Sequence, residues 1–304
     1  MKTGLSVVGA VLLLTVSALA QSALPNFSGT WNLDLAKSEF GPIPAPESVV
    51  MVIPHSQMFS PRSFAQDATR RCVRAMYYHC GMPMQAISEY TIGDYSLKPK
   101  LIIVPSPGVL TQKCWEALLA AANAGATVAI SGVIDADEYG LPIERSRLFK
   151  SSAGVEPVLQ SEEVSIGGQA FVTRYEGEKI QRLEKAVFPA NQVLVQQHGS
   201  GGFIWSPLPL ELGDSMPALT AFYKQALTLA QVSPVFSASP NLPSVLVLPS
   251  VFRNVVLYTL ISETDRDKMI QVTHLETRTQ IPVLVPADRT AMVLIDRKSG
   301  KILS

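Results

Sequence analysis

Two hydrophobic rhythms alternate along the first half of this chain. Val49-Val50-Met51-Val52-Ile53 is an unbroken apolar run, as expected of a strand covered on both faces. The period then changes. Ala65, Ala68, Cys72, Ala75, Met76 and His79 recur every three or four residues and form the inner stripe of a helix, with Arg70, Arg71 and Arg74 mostly off that stripe. Ser63, with Gln66 three residues on, has the form of a capping box at its start, and Gly81 supplies a stop. Strands follow over 84–88 and 101–104. A second helix begins near Thr111, buries Trp115, Leu118, Leu119 and Ala122, and stops at Gly125 ahead of a strand over 127–130. Strands alternating with helices predict a parallel sheet with right-handed crossovers.

The rhythm changes again over 141–200. The stretches VLQSEEVSIGGQAFVTRY and QVLVQQHGSGGFIWSP predict antiparallel strands with glycine turns. Ser215 opens a helix with Pro217 in its first turn and Leu219, Phe222, Tyr223, Ala226 and Leu229 as its stripe. Residues 233–243, rich in Ser and Pro, read as a linker. Short strands over 244–248, 255–262, 269–273, 281–285 and 291–296 predict a small antiparallel β-sandwich. The fold class is therefore α/β: a parallel-sheet domain over 49–232, then a β-sandwich over 233–304. Ahead of them, 21–48 forms a short segment in which Phe27, Trp31, Leu33 and Leu35 suit a strand. It ends in an extended, proline-rich linker, Gly41-Pro42-Ile43-Pro44-Ala45-Pro46.

Composition narrows the compartment and the partners. Lys2, the apolar run from Leu5 to Val16 and Ala18-Leu19-Ala20 have the layout of a signal peptide over 1–20, so the mature chain is expected to be secreted or periplasmic. The run is short for a membrane span, and Pro, Gly or charge interrupts every later apolar stretch, so no span is expected in the mature chain. Hydrophobic residues make up 47% and charged residues 16%, enough for a substantial core. The 25 basic and 25 acidic side chains cancel, which gives no basic excess for nucleic acid. There are three cysteines, Cys72, Cys80 and Cys114, so at least one thiol stays unpaired within the chain. On one helix, Cys72 and Cys80 lie about 12 Å apart at ~1.5 Å rise per residue, beyond the ~7 Å a disulfide spans. Buried thiols are the expected state.

Candidate chemistry gathers where strands end. Ser131 closes the fourth strand, where many α/β enzymes carry a nucleophile. A nucleophile elbow needs small residues at fixed spacing, and Val128-Ala129-Ile130-Ser131-Gly132-Val133 lacks the flanking glycines. A working serine also needs a base in reach, and nothing in the sequence places His79 or His198 beside it. Asp135, Asp137 and Glu138 are a candidate acid pair for glycoside cleavage, or equally a solvated turn or helix cap. Ligands in open α/β sheets sit beyond the carboxyl ends of the strands. A candidate crevice therefore comprises His55, Ser56, Gln57, Arg62, Glu89, Ser106, Ser131 and Asp135, with a hydrogen-bonded loop that anchors the next helix as the structural alternative. The cysteines and histidines lack metal-ligand spacing and there is no phosphate-loop motif, so neither metal nor cofactor is expected.

Four extended segments carry a family resemblance: HSQMFSPRSFAQDATRRCVRAMYYHC, LIIVPSPGVLTQKCWEALLAAANAGATVAISG, FIWSPLPLEL and TAMVLIDRKSGKIL. Together they resemble the C-terminal half of secreted bacterial glycoside hydrolases of the trimeric β-galactosidase type. In that family a catalytic (β/α) barrel precedes a glutamine-amidotransferase-like trimerisation domain and a closing β-sandwich. The resemblance covers residues 49–304 and implies a flavodoxin/amidotransferase-like sheet. A barrel needs about 250 residues, and the segment ahead of residue 49 leaves no room for one. The family's catalytic glutamates lie in the barrel, so none is carried onto this sequence and no catalytic residue is assigned. Ser131 falls near the amidotransferase elbow. Trp205, Pro207 and Leu208 fall where a His-Pro-Glu element would be, leaving Glu211 as the acid. The resemblance thus implies an exported, non-catalytic accessory or oligomerisation module that self-associates, with a separate glycosidase barrel subunit or a carbohydrate as further partners. The alternatives are a carbohydrate-active hydrolase and a carbohydrate-binding module.

Overall fold

A computed structural model describes residues 48–58, 64–94, 98–149, 155–156, 160–175, 186–187, 191–240, 242 and 244–303. The signal-peptide segment, residues 21–47, Arg62 and the Ser63 cap lie outside the described residues.

The apolar runs fold as strands and the striped segments as helices. In chain order these are β1 (Val49–Ile53), a single turn α1 (His55–Met58), α2 (Ala65–Arg74), β2 (Gln85–Ser88), β3 (Leu101–Val104), α3 (Gln112–Asn123) and β4 (Thr127–Ser131). Two short pieces, β5 (Val155–Glu156) and β8 (Ala186–Val187), pair with each other. β6 (Ser161–Ile166) and β7 (Gln169–Arg174) form a hairpin. β9 (Leu194–His198) and β10 (Gly201–Ser206) lead into α4 (Met216–Leu229).

The main sheet has six strands in the order β2-β1-β3-β4-β10-β9. All neighbours are parallel except β9, which closes one edge antiparallel to β10. The β10 placement corrects the sequence reading of this stretch as antiparallel throughout. Gly201–Ser206 pairs in parallel with β4, Ile204 opposite Ala129 and Ser206 opposite Ser131. Its Phe203, Ile204, Trp205 and Ser206 are buried, so it is a central strand.

Successive strand residues point to opposite faces, and each face is filled by a different helix set. Val49, Met51, Leu101, Ile103, Ala129 and Ile204 share a core with Ala68, Cys72 and Met76 after β1, and with Leu219, Phe222 and Tyr223 of α4. Val50, Val52, Ile102, Val104, Val128, Ile130, Phe203 and Trp205 pack on Cys114, Trp115, Leu118 and Ala122 of α3. Leu119 packs against this core half-buried. Leu229 stands 43% exposed, so the α4 stripe ends one turn earlier than its spacing suggests.

α2 does not stop at Arg74. It runs on as a π-helical turn, Ala75–Cys80, which takes His79 off the inner stripe and leaves it half-buried. Gly81 ends the turn at φ 61°, and a Cβ there would come within 2.0 Å of the Phe236 carbonyl oxygen. Only glycine fits both demands. The Gly81 carbonyl accepts the amide of Val235 at 3.0 Å, joining α2 to the C-terminal strands.

Those strands are β11 (Phe236–Ser239), β12 (Val245–Val251), β13 (Val255–Ser262), β14 (Lys268–His274), β15 (Thr279–Val285) and β16 (Thr290–Asp296). They form two three-stranded antiparallel sheets, β11-β14-β15 and β12-β13-β16. Val247, Tyr258 and Ile295 from one sheet share a core with Phe236, Val272 and Ile281 from the other. β11 lies within the stretch read as a linker. The backbone of Phe236–Ser239 pairs with Gln271–His274, and Phe236 is buried.

Among the described residues all three thiols are buried and free. No helix among them is long and apolar enough to cross a membrane.

Candidate functional site

The strand order reverses direction at β1, so the loops after β1 and β3 diverge there and form the natural crevice of an open α/β sheet. Six of the candidate residues fall into two sets on this side, and Asp135 lies in a separate acidic loop.

The first set surrounds Glu89, fully buried just past β2. Its carboxylate accepts the Ser56 amide through one oxygen and the Thr111 amide at 3.1 Å through the other. It thereby ties the start of α1 to the N-cap of α3, whose Thr111 hydroxyl accepts from the Cys114 amide at 3.1 Å. A carboxylate at a helix N-terminus meets donors and a favourable dipole. Beside it, His55 Nδ1 lies 2.8 Å from Ser88 Oγ, which also accepts the Tyr90 amide at 3.2 Å. The Tyr90 ring stacks on His55 at 6.1 Å, and burial, then Glu89, pushes its phenol above the ordinary value. Gln57 is buried against Gly108, the glycine placing no side chain between it and the β3–α3 loop. Ser56 Oγ and Gln57 Oε1 are buried without a hydrogen-bond partner among the described residues.

Ser88–His55 is a hydroxyl–imidazole pair that sequence reasoning missed, because Ser88 looked like the last residue of an ordinary strand. Ser88, Ser106 and Ser131 all stand at or just beyond carboxyl ends, and that shared position was the available signal. A nucleophile–base pair works when a third group orients the base. Glu89, the nearest acid in sequence, spends its oxygens on backbone amides instead.

The second set is deeper. Ser131 is fully buried, and its hydroxyl and that of Ser106 are 2.9 Å apart. Both donate to Glu211 Oε2, Ser106 at 2.6 Å. The other carboxylate oxygen accepts the Tyr223 hydroxyl from α4. Burial first, then the neighbouring Cys72 and Glu211, drives the Tyr223 phenol well above its ordinary value, and burial drives the Cys72 thiol up as well. Gly132 turns the chain after Ser131 at φ 82°, and a Cβ there would lie 3.2 Å from Pro209 Cβ. Its carbonyl accepts Trp205 Nε1 at 2.8 Å, so Trp205 braces the turn. Sequence reasoning noted Glu211 only as an acid and assigned Tyr223 to the core stripe.

Neither histidine weighed as a base approaches Ser131. His198 pairs with Gly201 at the start of β10, whereas Ser131 pairs with Ser206 at its end. Five residues of strand separate those levels by about 16 Å. His198 packs instead on Phe203 at 5.9 Å. His79 follows a helix that runs back across the sheet from the carboxyl end of β1, as a crossover between parallel strands requires.

The carboxylates of the acidic loop accept backbone amides of the loop itself, of α3 and of the turn that follows. Asp135 accepts the Ser146 amide at 2.7 Å, Asp137 the amides of Tyr139 and Leu141 at 2.9 and 2.8 Å, and Glu138 that of Gln112 at 3.3 Å. Arg145 lies over Trp115 and donates to the carbonyls of Leu110 and Ala136, both at 2.9 Å. Burial lowers its proton affinity. Among the described residues no cluster of three or more His, Cys, Asp or Glu could hold a metal ion.

No family model matches the sequence, and no curated protein matches it. Solved structures do share the fold. A cold-adapted β-galactosidase from Rahnella sp. R3 aligns at TM-score 0.60 and 12% identity over 82% of this chain and 41% of its own. A catalytic mutant of Gan42B, a GH42 β-galactosidase of G. stearothermophilus, aligns at 0.56 and 14% identity over 83% and 41%. The β-galactosidase of Bacillus circulans sp. alkalophilus aligns at 0.56 and 11% over 82% and 41%. This chain thus has the fold of part of a GH42 glycoside hydrolase and spans 41% of the length of each of these enzymes.

Proposed function

We propose that this chain is an exported, non-catalytic accessory or oligomerisation module derived from a glycoside hydrolase. Its α/β part is flavodoxin/amidotransferase-like and its C-terminal sheets form a β-sandwich. The strand order β2-β1-β3-β4-β10 supports the first assignment, and the core shared by the two antiparallel sheets supports the second. The observation that carries the functional reading is the state of Ser131. The residue at the elbow position is sealed from solvent and donates to a carboxylate, and the described residues bring no imidazole to it. A serine hydroxyl bound this way is tied to a buried carboxylate as a structural donor, with no path to a substrate.

The module is expected to self-associate, with a separate glycosidase barrel or a carbohydrate as further partners. Light scattering on the mature chain tests the first expectation: a closed oligomer supports it, and a monomer at high concentration contradicts it.

A second reading, a carbohydrate-binding or carbohydrate-active crevice at His55–Gln57, is favoured by one observation. Ser56 Oγ and Gln57 Oε1 are buried with hydrogen-bonding capacity unused, beside the Ser88–His55 pair. Titration with galactose and galacto-oligosaccharides tests it through the amide signals of Ser56 and Gln57. Saturable shifts support the crevice, and unmoved signals exclude it.

A further inference from the structure

An open groove of about 660 Å³ lies between the end of α2, the β7 strand and the start of α4. That is within the ~300–1,000 Å³ of small-molecule sites. We propose that it binds a small amphiphilic carboxylate, an organic anion with an aromatic or aliphatic body.

The α4 wall is a single helical face. Pro217, Thr220, Ala221 and Lys224 line the groove at spacings of three, four and seven residues. At ~1.5 Å per residue, Pro217 and Lys224 lie about 10 Å apart along the axis. The N-terminal end is apolar, with Met216 and Pro217 and with Phe171 facing them from β7. The other end carries the ammonium of Lys224 and the imidazole of His79, and Arg74 stands one helical turn before His79. Among the described residues that line the groove there is no carboxylate. The acid that approaches it, Glu263, is engaged by Arg74 at 3.3 Å and by the Tyr78 hydroxyl at 3.1 Å. Burial first, then Lys224, holds the His79 imidazole below its ordinary value. An anion seated between the Lys224 ammonium and the His79 ring offsets the field that disfavours protonation of the imidazole, while its body covers Phe171 and Met216. The ligand chemistry is therefore an apolar body about as long as the groove with one negative head. This inference does not depend on whether the chain is catalytic.

Calorimetric titration of the full chain with octanoate and hydrocinnamate tests it, with octanol, hydrocinnamyl alcohol and galactose as neutral probes. Saturable binding of both acids is expected, at least about tenfold tighter than the matching alcohols, as befits charge-assisted contacts. Lys224→Glu abolishes it. Lys224 is exposed, so its thermal unfolding stays within about 2 °C of the parent, as for surface changes generally. NMR of the His79 ring shows its titration moving to higher pH when octanoate is bound. The proposal is overturned if the acids do not saturate, if acid and alcohol bind equally, if Lys224→Glu leaves binding unchanged, or if galactose displaces the acids. It is also overturned if Met216→Arg dissociates an oligomer of a chain that binds neither acid, since the groove then belongs to a second copy.

Discussion

Ser131 and Glu211, 80 residues apart in sequence, meet in the interior, the serine hydroxyl donating to the glutamate carboxylate. The contact joins the end of β4 to the turn before α4. Ser106 and Tyr223 complete a set of three hydroxyls around one buried glutamate side chain. A carboxylate removed from water costs heavily unless its lone pairs are filled. The three hydroxyls fill them, which accounts for serines at two strand ends as structural donors.

Removing the acceptor should therefore cost more than removing a donor. Ser131→Ala is expected to destabilise the chain by about 1–2 kcal/mol, since two donors remain on the carboxylate. Glu211→Ala strands three buried hydroxyls and is expected to cost about 3 kcal/mol or more. Urea unfolding of the two variants ranks them, and a Ser131→Ala loss larger than that of Glu211→Ala contradicts the assignment.

Glu89 makes an analogous but more local contact. Glu89→Ala deprives the amides of Ser56 and Thr111 of their acceptor, for an expected loss of about 1.5–3 kcal/mol. Hydrogen exchange should quicken at these two amides ahead of the β1 core. Unchanged exchange at both counts against a helix-capping role.

Gly81→Ala should be among the most damaging single-methyl changes. It forces a Cβ into the Phe236 carbonyl at a positive φ, and at least about 2 kcal/mol of destabilisation is expected. A thermal melt within 1 °C of the parent, which for a chain this size means well under ~1 kcal/mol, contradicts the close approach.

His274 sets a pH dependence in the C-terminal sheets. Its Nδ1 lies 2.7 Å from the Tyr258 hydroxyl, and burial holds its proton affinity below the ordinary value, with Glu276 opposing and Arg297 reinforcing the shift. The unfolded chain then binds a proton more readily than the folded one. Stability is complete above the unfolded value of about 6.5 and declines as pH falls below it. Unfolding from pH 8 to pH 5 should show this fall in the parent and a smaller one in His274→Phe. Identical pH profiles remove His274 from the account.

The legible parts of the fold were those written in local periodicity. The run 49–53 reads as a doubly covered strand, and the Trp115–Leu118–Ala122 stripe reads as the buried face of α3. What stayed hidden depended on partners distant in sequence. The GGFIWS stretch announces a strand paired with the preceding hairpin arm but not that β4 is its second neighbour, because parallel pairing is set by tertiary packing. β11 sat in a Ser/Pro-rich stretch whose strand pairing comes from β14. Glu211 looks like one acid in a proline-rich loop, and only the convergence of the β3 and β4 ends with α4 makes it the centre of a network. The crevice residues were placed on one side of the sheet by the strand-end rule alone. Their division into a capping set around Glu89 and a buried set around Glu211 required the side-chain geometry.

The central claim is that neither serine site performs chemistry, and steady-state kinetics on the purified full chain tests it most directly. Aryl β-galactosides and aryl esters should show no turnover above buffer, and Ser131→Ala, Ser88→Ala and His55→Ala should be indistinguishable from the parent. Hydrolysis by the parent that falls at least about a hundredfold in Ser131→Ala, or equally in Ser88→Ala and His55→Ala, contradicts the account, because such a loss marks an activated nucleophile.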